Sequence, residues 1–126
     1  MASELRVDTL KDASGANSIG LSYVANGSAK AWVHFDATSG TPVAQDSLNN
    51  SSITDGGVGN FTISFTSNMN NDDFFVSVGG GSSGASNRNA SVDGIASSNV
   101  QQLAYNNSNS QIDMLFNFTG VHGDLA

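Results

Sequence analysis

The chain contains no cysteine, a single proline and only four lysines or arginines among 126 residues. Without cysteine there is no disulfide, no thiolate nucleophile and no Cys-ligated zinc, so stability must come from packing or from oligomerisation. Charge of either sign is sparse: 12% of residues are Asp, Glu, Lys or Arg, about half the usual globular share. Eleven acids against four bases give a net charge of −7, which argues against nucleic-acid backbones and anionic membranes as partners. No apolar run approaches a membrane span, and Met1-Ala2-Ser3-Glu4-Leu5-Arg6 lacks the apolar core of a signal peptide. The expectation is a soluble protein whose export nothing local directs. Helical periodicity is missing as well. Apolar residues do not recur at i, i+3, i+4, i+7, and Gly or Asn interrupts every candidate window.

What is present is Ser, Asn and Gly, with segments between them that alternate strictly. In Asn60-Phe61-Thr62-Ile63-Ser64-Phe65-Thr66, Phe61, Ile63 and Phe65 share one face and the polar residues the other. A period of two is that of a strand with one dry and one wet side. Ala31, Val33 and Phe35 alternate with Trp32 and His34 in the same way. Further strands are expected over 43–48, 51–54, 73–78, 88–95, 99–105 and 111–119. The last of these aligns Ile112, Met114, Phe116 and Phe118 on one face. Gly79-Gly80-Gly81-Ser82-Ser83-Gly84 reads as a loop, Asp55-Gly56-Gly57 as a hairpin connection, and His122 as part of a tail. Seven or eight strands at roughly ten-residue spacing predict an all-β fold, an antiparallel β-sandwich of jelly-roll-like type. Residues 1–28 look too thin to pack alone. They read as an extended N-terminal arm, or a loosely ordered tail, ahead of a sandwich domain over residues 29–126.

Groups that do chemistry are few. His34 and Asp36 point the same way from one strand, so a triad with one of twenty serines is conceivable, but no G-x-S-x-G elbow exists. Asn70-Asn71-Asp72-Asp73 and Asp55-Gly56-Gly57 are oxygen-rich turns without the spacing of an EF-hand. Asx residues fill turns for backbone reasons alone. The glycine run is followed by neither lysine nor helix, which excludes a phosphate loop. The expectation is therefore a protein that is not an enzyme and uses no cofactor and no metal. Trp32 and Tyr105 are candidates for a sugar-stacking platform or for core and interface anchors. Because Trp32 lies opposite the Ala31-Val33-Phe35 face, one of the two faces needs a cover, and a second protomer is the simplest.

The residues also carry a resemblance. Ser3-Glu4-Leu5-Arg6-Val7-Asp8-Thr9-Leu10-Lys11-Asp12-Ala13-Ser14-Gly15 is similar to the opening of small virion fibre proteins from tailed phages of marine bacteria, cyanophages especially. Ala29-Lys30-Ala31-Trp32-Val33-His34-Phe35-Asp36, then Asp46-Ser47-Leu48-Asn49-Asn50-Ser51-Ser52-Ile53-Thr54-Asp55 and Gly59-Asn60-Phe61-Thr62-Ile63-Ser64-Phe65, resemble the stretches that follow it. The likeness covers residues 3 to 66 and fades beyond Met69. It implies a non-enzymatic structural component of the virion, fibre-like and typically homotrimeric. The N-terminal segment would attach to other virion proteins of tail or capsid, and the β domain would be displayed and aid attachment to host-surface glycans. Leu5, Val7, Leu10 and Trp32 are the expected contacts for oligomer or particle. A lectin-like carbohydrate-binding module without a virion role is the alternative expectation.

Overall fold

A computed structural model describes residues 3, 5–84 and 87–126. Met1, Ala2 and Glu4 of the expected arm therefore lie outside the described residues. The elements in chain order are a hairpin of β1 (Thr9–Lys11) and β2 (Ser18–Gly20), a helix α1 (Leu21–Gly27), then eight strands. These are β3 (Ala29–Asp36), β4 (Val43–Leu48), β5 (Asn50–Asp55), β6 (Asn60–Phe65), β7 (Phe75–Gly81), β8 (Asn89–Ala96), β9 (Asn99–Tyr105) and β10 (Phe116–His122).

The eight strands form two four-stranded antiparallel sheets, β4-β3-β10-β7 and β5-β6-β9-β8. They pack face to face as a β-sandwich. Ala31, Val33, Phe35 and Val121 of the first sheet meet Phe61, Ile63, Phe65, Val100 and Ala104 of the second. Phe35 and Phe61 meet edge to face at 5.1 Å, a geometry aromatic pairs favour. Three of the pairings are hairpins (β3–β4, β5–β6, β8–β9), and the long-range pairs β3–β10, β10–β7 and β6–β9 complete the sheets. Of the nested pairs of a jelly-roll, first strand with last and so inward, only β3–β10 is present.

The chain changes sheets at Asn49, between β4 and β5. Asn49 takes a left-handed φ of 54°, which its short polar side chain tolerates better than most. Its Nδ2 donates to the carbonyls of Lys30 (3.0 Å) and Ser67 (2.9 Å), and its Oδ1 accepts from the Ser67 amide at 2.6 Å. One side chain thus ties the end of β6 to the start of β3.

Three expectations are corrected. First, residues 21–27 form a helix despite showing no apolar stripe. None of its residues is buried and no side chain caps its start. Its last carbonyls are satisfied from outside, by Lys30 Nζ at Ala25 O and by His122 Nδ1 at Gly27 O. Second, Gly79, Gly80 and Gly81 are not loop but the end of β7, paired with Phe118, Asn117 and Phe116. Met114 explains the middle one: its methyl occupies the space a Cβ on Gly80 would need. Third, the final strand begins at Phe116, not Gln111, and its faces are inverted. Asn117, Thr119 and Val121 point inward and are buried, while Phe116 and Phe118 point out, 37% and 46% exposed.

Hydrogen bonding accounts for the inversion. Asn117 Nδ2 donates to Met114 O (2.8 Å) and Phe35 O (3.3 Å), closing the irregular stretch before β10. Thr119 Oγ1 donates to Gln102 Oε1 at 2.5 Å, and Gln102 Nε2 reaches Gly79 O at 3.4 Å. Gln102 and Asn117 are wholly inaccessible to solvent, so these bonds remove what would otherwise be a desolvation penalty. A fully partnered amide and hydroxyl group bridges the sheets where a phenylalanine pair would be expected.

Candidate functional site

The inversion of β10 gives the first sheet an unusual outer surface. Across β4, β3, β10 and β7, one row reads Leu48, Trp32, Gly120, Ser77 and the next Asp46, His34, Phe118, Gly79. Phe116 faces Gly81 in a third row, and His122 faces Phe75 at the other end. The His34 ring lies stacked on Phe118, centroids 4.7 Å apart and planes 23° from parallel, with Phe116 at 6.1 Å. Phe75 is 64% exposed and sits 6.1 Å from the His122 ring. Trp32 is half-buried and Leu48 is 46% exposed. Aromatic bulk is concentrated on β3 and β10. Gly79, Gly81 and Gly120 leave a flat strip beside it, and a Cβ on Gly120 would meet nothing within 4 Å.

The other sheet contrasts with this. The outward positions of its two central strands carry Asn60, Thr62, Ser64, Asn99, Gln101, Leu103 and Tyr105. Gln101 Nε2 donates to Asn60 Oδ1 at 2.7 Å across that face. One outer surface is aromatic and the other is hydroxyl and amide.

Trp32 stands at the centre of the aromatic surface. Leu5 is 79% exposed, Val7 half-buried and Leu10 42% exposed on the hairpin, beside Ile19 on β2. The N-terminal residues and Trp32 are thus placed on different elements. The turn joining β1 to β2 is organised by Asp12, whose carboxylate accepts from Ser14 Oγ (2.8 Å), Asn17 Nδ2 (2.7 Å) and the Ala16 amide (3.1 Å). The Ser14 and Asn17 hydrogen bonds hold that carboxyl below its usual range.

His34 and Asp36 do share the outer face, but the pair is not built as a triad. Asp36 Oδ1 accepts from the Thr38 amide (2.8 Å) and hydroxyl (2.7 Å), which keeps its carboxyl below the ordinary value, with the His34 charge adding to the effect. Among the described residues no hydrogen bond joins either histidine to a serine hydroxyl. Nor do three or more His, Asp or Glu side chains gather as a metal would require. Asn71 Oδ1 accepts from the Asp73 amide at 2.9 Å, the turn-closing use of an Asx side chain. No described helix is long and apolar enough to cross a membrane. His122 is corrected from tail to the last residue of β10, inside the aromatic surface.

Sequence reasoning found Trp32 on this surface and missed Phe116, Phe118, Phe75 and His122. The signal that could have found them is the motif Phe116-Asn117-Phe118-Thr119, which offers either an apolar or a polar set to the core. Comparison with protein-family models, with curated proteins and with solved structures gives no match.

Proposed function

We propose that the chain is a non-enzymatic structural protein of a phage virion, a homotrimeric fibre or knob that helps the particle contact its host. The aromatic outer surface of the first sheet is the observation that supports this reading. A face carrying Trp32, Phe116, Phe118, Phe75 and Leu48 has the aromatic content of an interface centre. Its occupant is a second copy of the same chain. With a net charge of −7, copies repel each other except where charge is scarce, and the facing positions of β10 and β7 hold no carboxylate. The bulky half on β3 and β10 complements the glycine strip of β7. A head-to-tail contact that places one on the other gives a ring where its rotation closes, and three copies around an axis is the ring proposed.

In that arrangement the hydroxyl and amide face of the second sheet turns outward, toward solvent and host-surface glycans. Leu5, Val7 and Leu10 precede or lie on the hairpin, where they can attach to other virion proteins, as the N-terminal resemblance implies. The test is sedimentation equilibrium at micromolar concentration. Trimers are expected for the native chain. Phe118→Asp should give monomers with an unchanged circular dichroism spectrum, because the ring points out of the core. A native chain that sediments only as a monomer would overturn the reading. Electron micrographs of particles with and without the protein then locate it.

A further inference from the structure

The outward side of β6 and β9 carries two amides that hold each other. Gln101 Nε2 donates to Asn60 Oδ1 at 2.7 Å, a diagonal contact, since Gln101 stands directly opposite Thr62 in the register. Both side chains are half-buried. The bond uses one polar atom of each. Asn60 Nδ2 and Gln101 Oε1 have no partner among the described residues, and neither is sealed from solvent. We infer that this pair, with Leu103 and Tyr105 beside it, is a binding site for the neutral pyranose units of a glycan. That assignment rests on the reading above, in which this sheet faces the host, and it names the class of ligand.

Backbone and two glycines hold the pair in place. The Gly56 amide donates to Asn60 O (2.8 Å) and the Asn60 amide to Gly57 O (2.9 Å), fixing Asn60 at the end of the hairpin. Its side-chain amide lies over Gly56, where a Cβ would come within 3.0 Å of the Asn60 Cγ. Gly94 of β8 faces Gln101, and a Cβ there would sit 3.4 Å from Oε1. Without one, that oxygen is open from the side. An amide pair so held presents one donor and one acceptor at a set separation, which suits two neighbouring hydroxyls of a sugar ring. Along β9 the outward residues run Gln101, Leu103, Tyr105, each about 7 Å from the next. Leu103 faces Asn60 and Tyr105 faces Asn89. Leu103 and the Tyr105 ring offer an apolar edge to the C–H face of a pyranose while the amides take its hydroxyls.

Charge selects the class. No lysine or arginine lies on β5, β6, β8 or β9, and the acids on those strands, Asp55 and Asp93, are exposed. On a chain of net charge −7, a sialic or uronic acid meets repulsion and no cation to bind. A neutral hexose meets neither obstacle. A sugar lacking the paired hydroxyls is rejected as well, because it would cover the free donor and acceptor and leave them unpaired.

Calorimetric and NMR titration of the native chain with neutral hexasaccharides of glucose, galactose and mannose tests this, with sialyllactose and trigalacturonate as anionic comparisons. At least one neutral sugar should bind and shift the side-chain amide resonances of Asn60 and Gln101, while the anionic sugars do neither. Tyr105→Ala and Gly94→Val, each with an unchanged circular dichroism spectrum, should weaken binding at least about tenfold. Gly94→Val removes no polar group and only covers Gln101 Oε1. A polymer bearing the same sugar should bind the trimer about a hundredfold or more tighter than the Phe118→Asp monomer, with the free hexasaccharide bound equally by both. A native trimer that binds no neutral sugar overturns the site and leaves the assembly standing. A native monomer that binds one through these residues overturns the assembly and leaves the site. Tighter binding of the anionic sugars, resonance shifts that miss Asn60 and Gln101, or folded variants that bind as the native chain does overturn the site.

Discussion

Asn49 offers the sharpest test of how the two sheets are joined, because one residue combines a left-handed backbone with three side-chain hydrogen bonds. A net contribution of about 1 kcal/mol per bond, reduced somewhat because the site is half-buried, gives about 2–3 kcal/mol for the side chain. Holding a residue with a Cβ at positive φ costs about another 1 kcal/mol unless it is Gly or Asn. Asn49→Gly should therefore lose about 2–3 kcal/mol and Asn49→Ala about 3–4 kcal/mol. Asn49→Asp keeps the acceptor for the Ser67 amide but turns an oxygen toward two carbonyls, and should fall at least as far as Gly. Urea unfolding at one fixed protein concentration measures all three, with the midpoint moving and the slope constant. If Asn49→Gly matched the native chain within about 0.5 kcal/mol, the side chain would not be the joint. If Ala were no worse than Gly, the backbone argument would fail.

Three other substitutions follow from the same contacts. Gly59→Ala should cost more than about 3 kcal/mol in a thermal melt, because its Cβ would fall 2.6 Å from both Ala104 O and Ile112 N at a φ of +65° and backbone cannot yield as a side chain does. Gln102→Leu should cost about 2–3 kcal/mol by stranding the Thr119 hydroxyl, whereas combining it with Asn117→Leu and Thr119→Val should recover much of that loss in chemical denaturation. Asp36→Asn should flatten the acid limb of the stability profile. The lowered carboxyl of Asp36 stabilises fully above about pH 5, and that support is lost as pH falls below 3.8, its unperturbed value.

How far the fold could be read depended on which strands had only one way to face. β3 and β6 offer one apolar set each, so Ala31, Val33, Phe35, Phe61, Ile63 and Phe65 are buried as their alternation requires. β10 offers two sets, and the choice between them is made by Gln102, fifteen and seventeen residues away in sequence from its partners Asn117 and Thr119. No local pattern contains that information. Glycines 79–81 belong to a strand only because β10 pairs with them, and α1 exists without a stripe because residues from the sandwich satisfy its end. Of the candidate surface, Trp32 was legible from its own strand. The alternation that groups Phe116 and Phe118 with Ile112 and Met114 holds when polar residues have no buried partner, and here Asn117 and Thr119 have one.

The central strands of the second sheet, β6 and β9, contain no charged residue at all. Coulombic forces are what dissolved ions screen, so if the proposed host contact runs through this surface, it should be nearly indifferent to salt. Brine and dilute buffer would leave it equally sticky, a property that a surface studded with lysine and glutamate could not have.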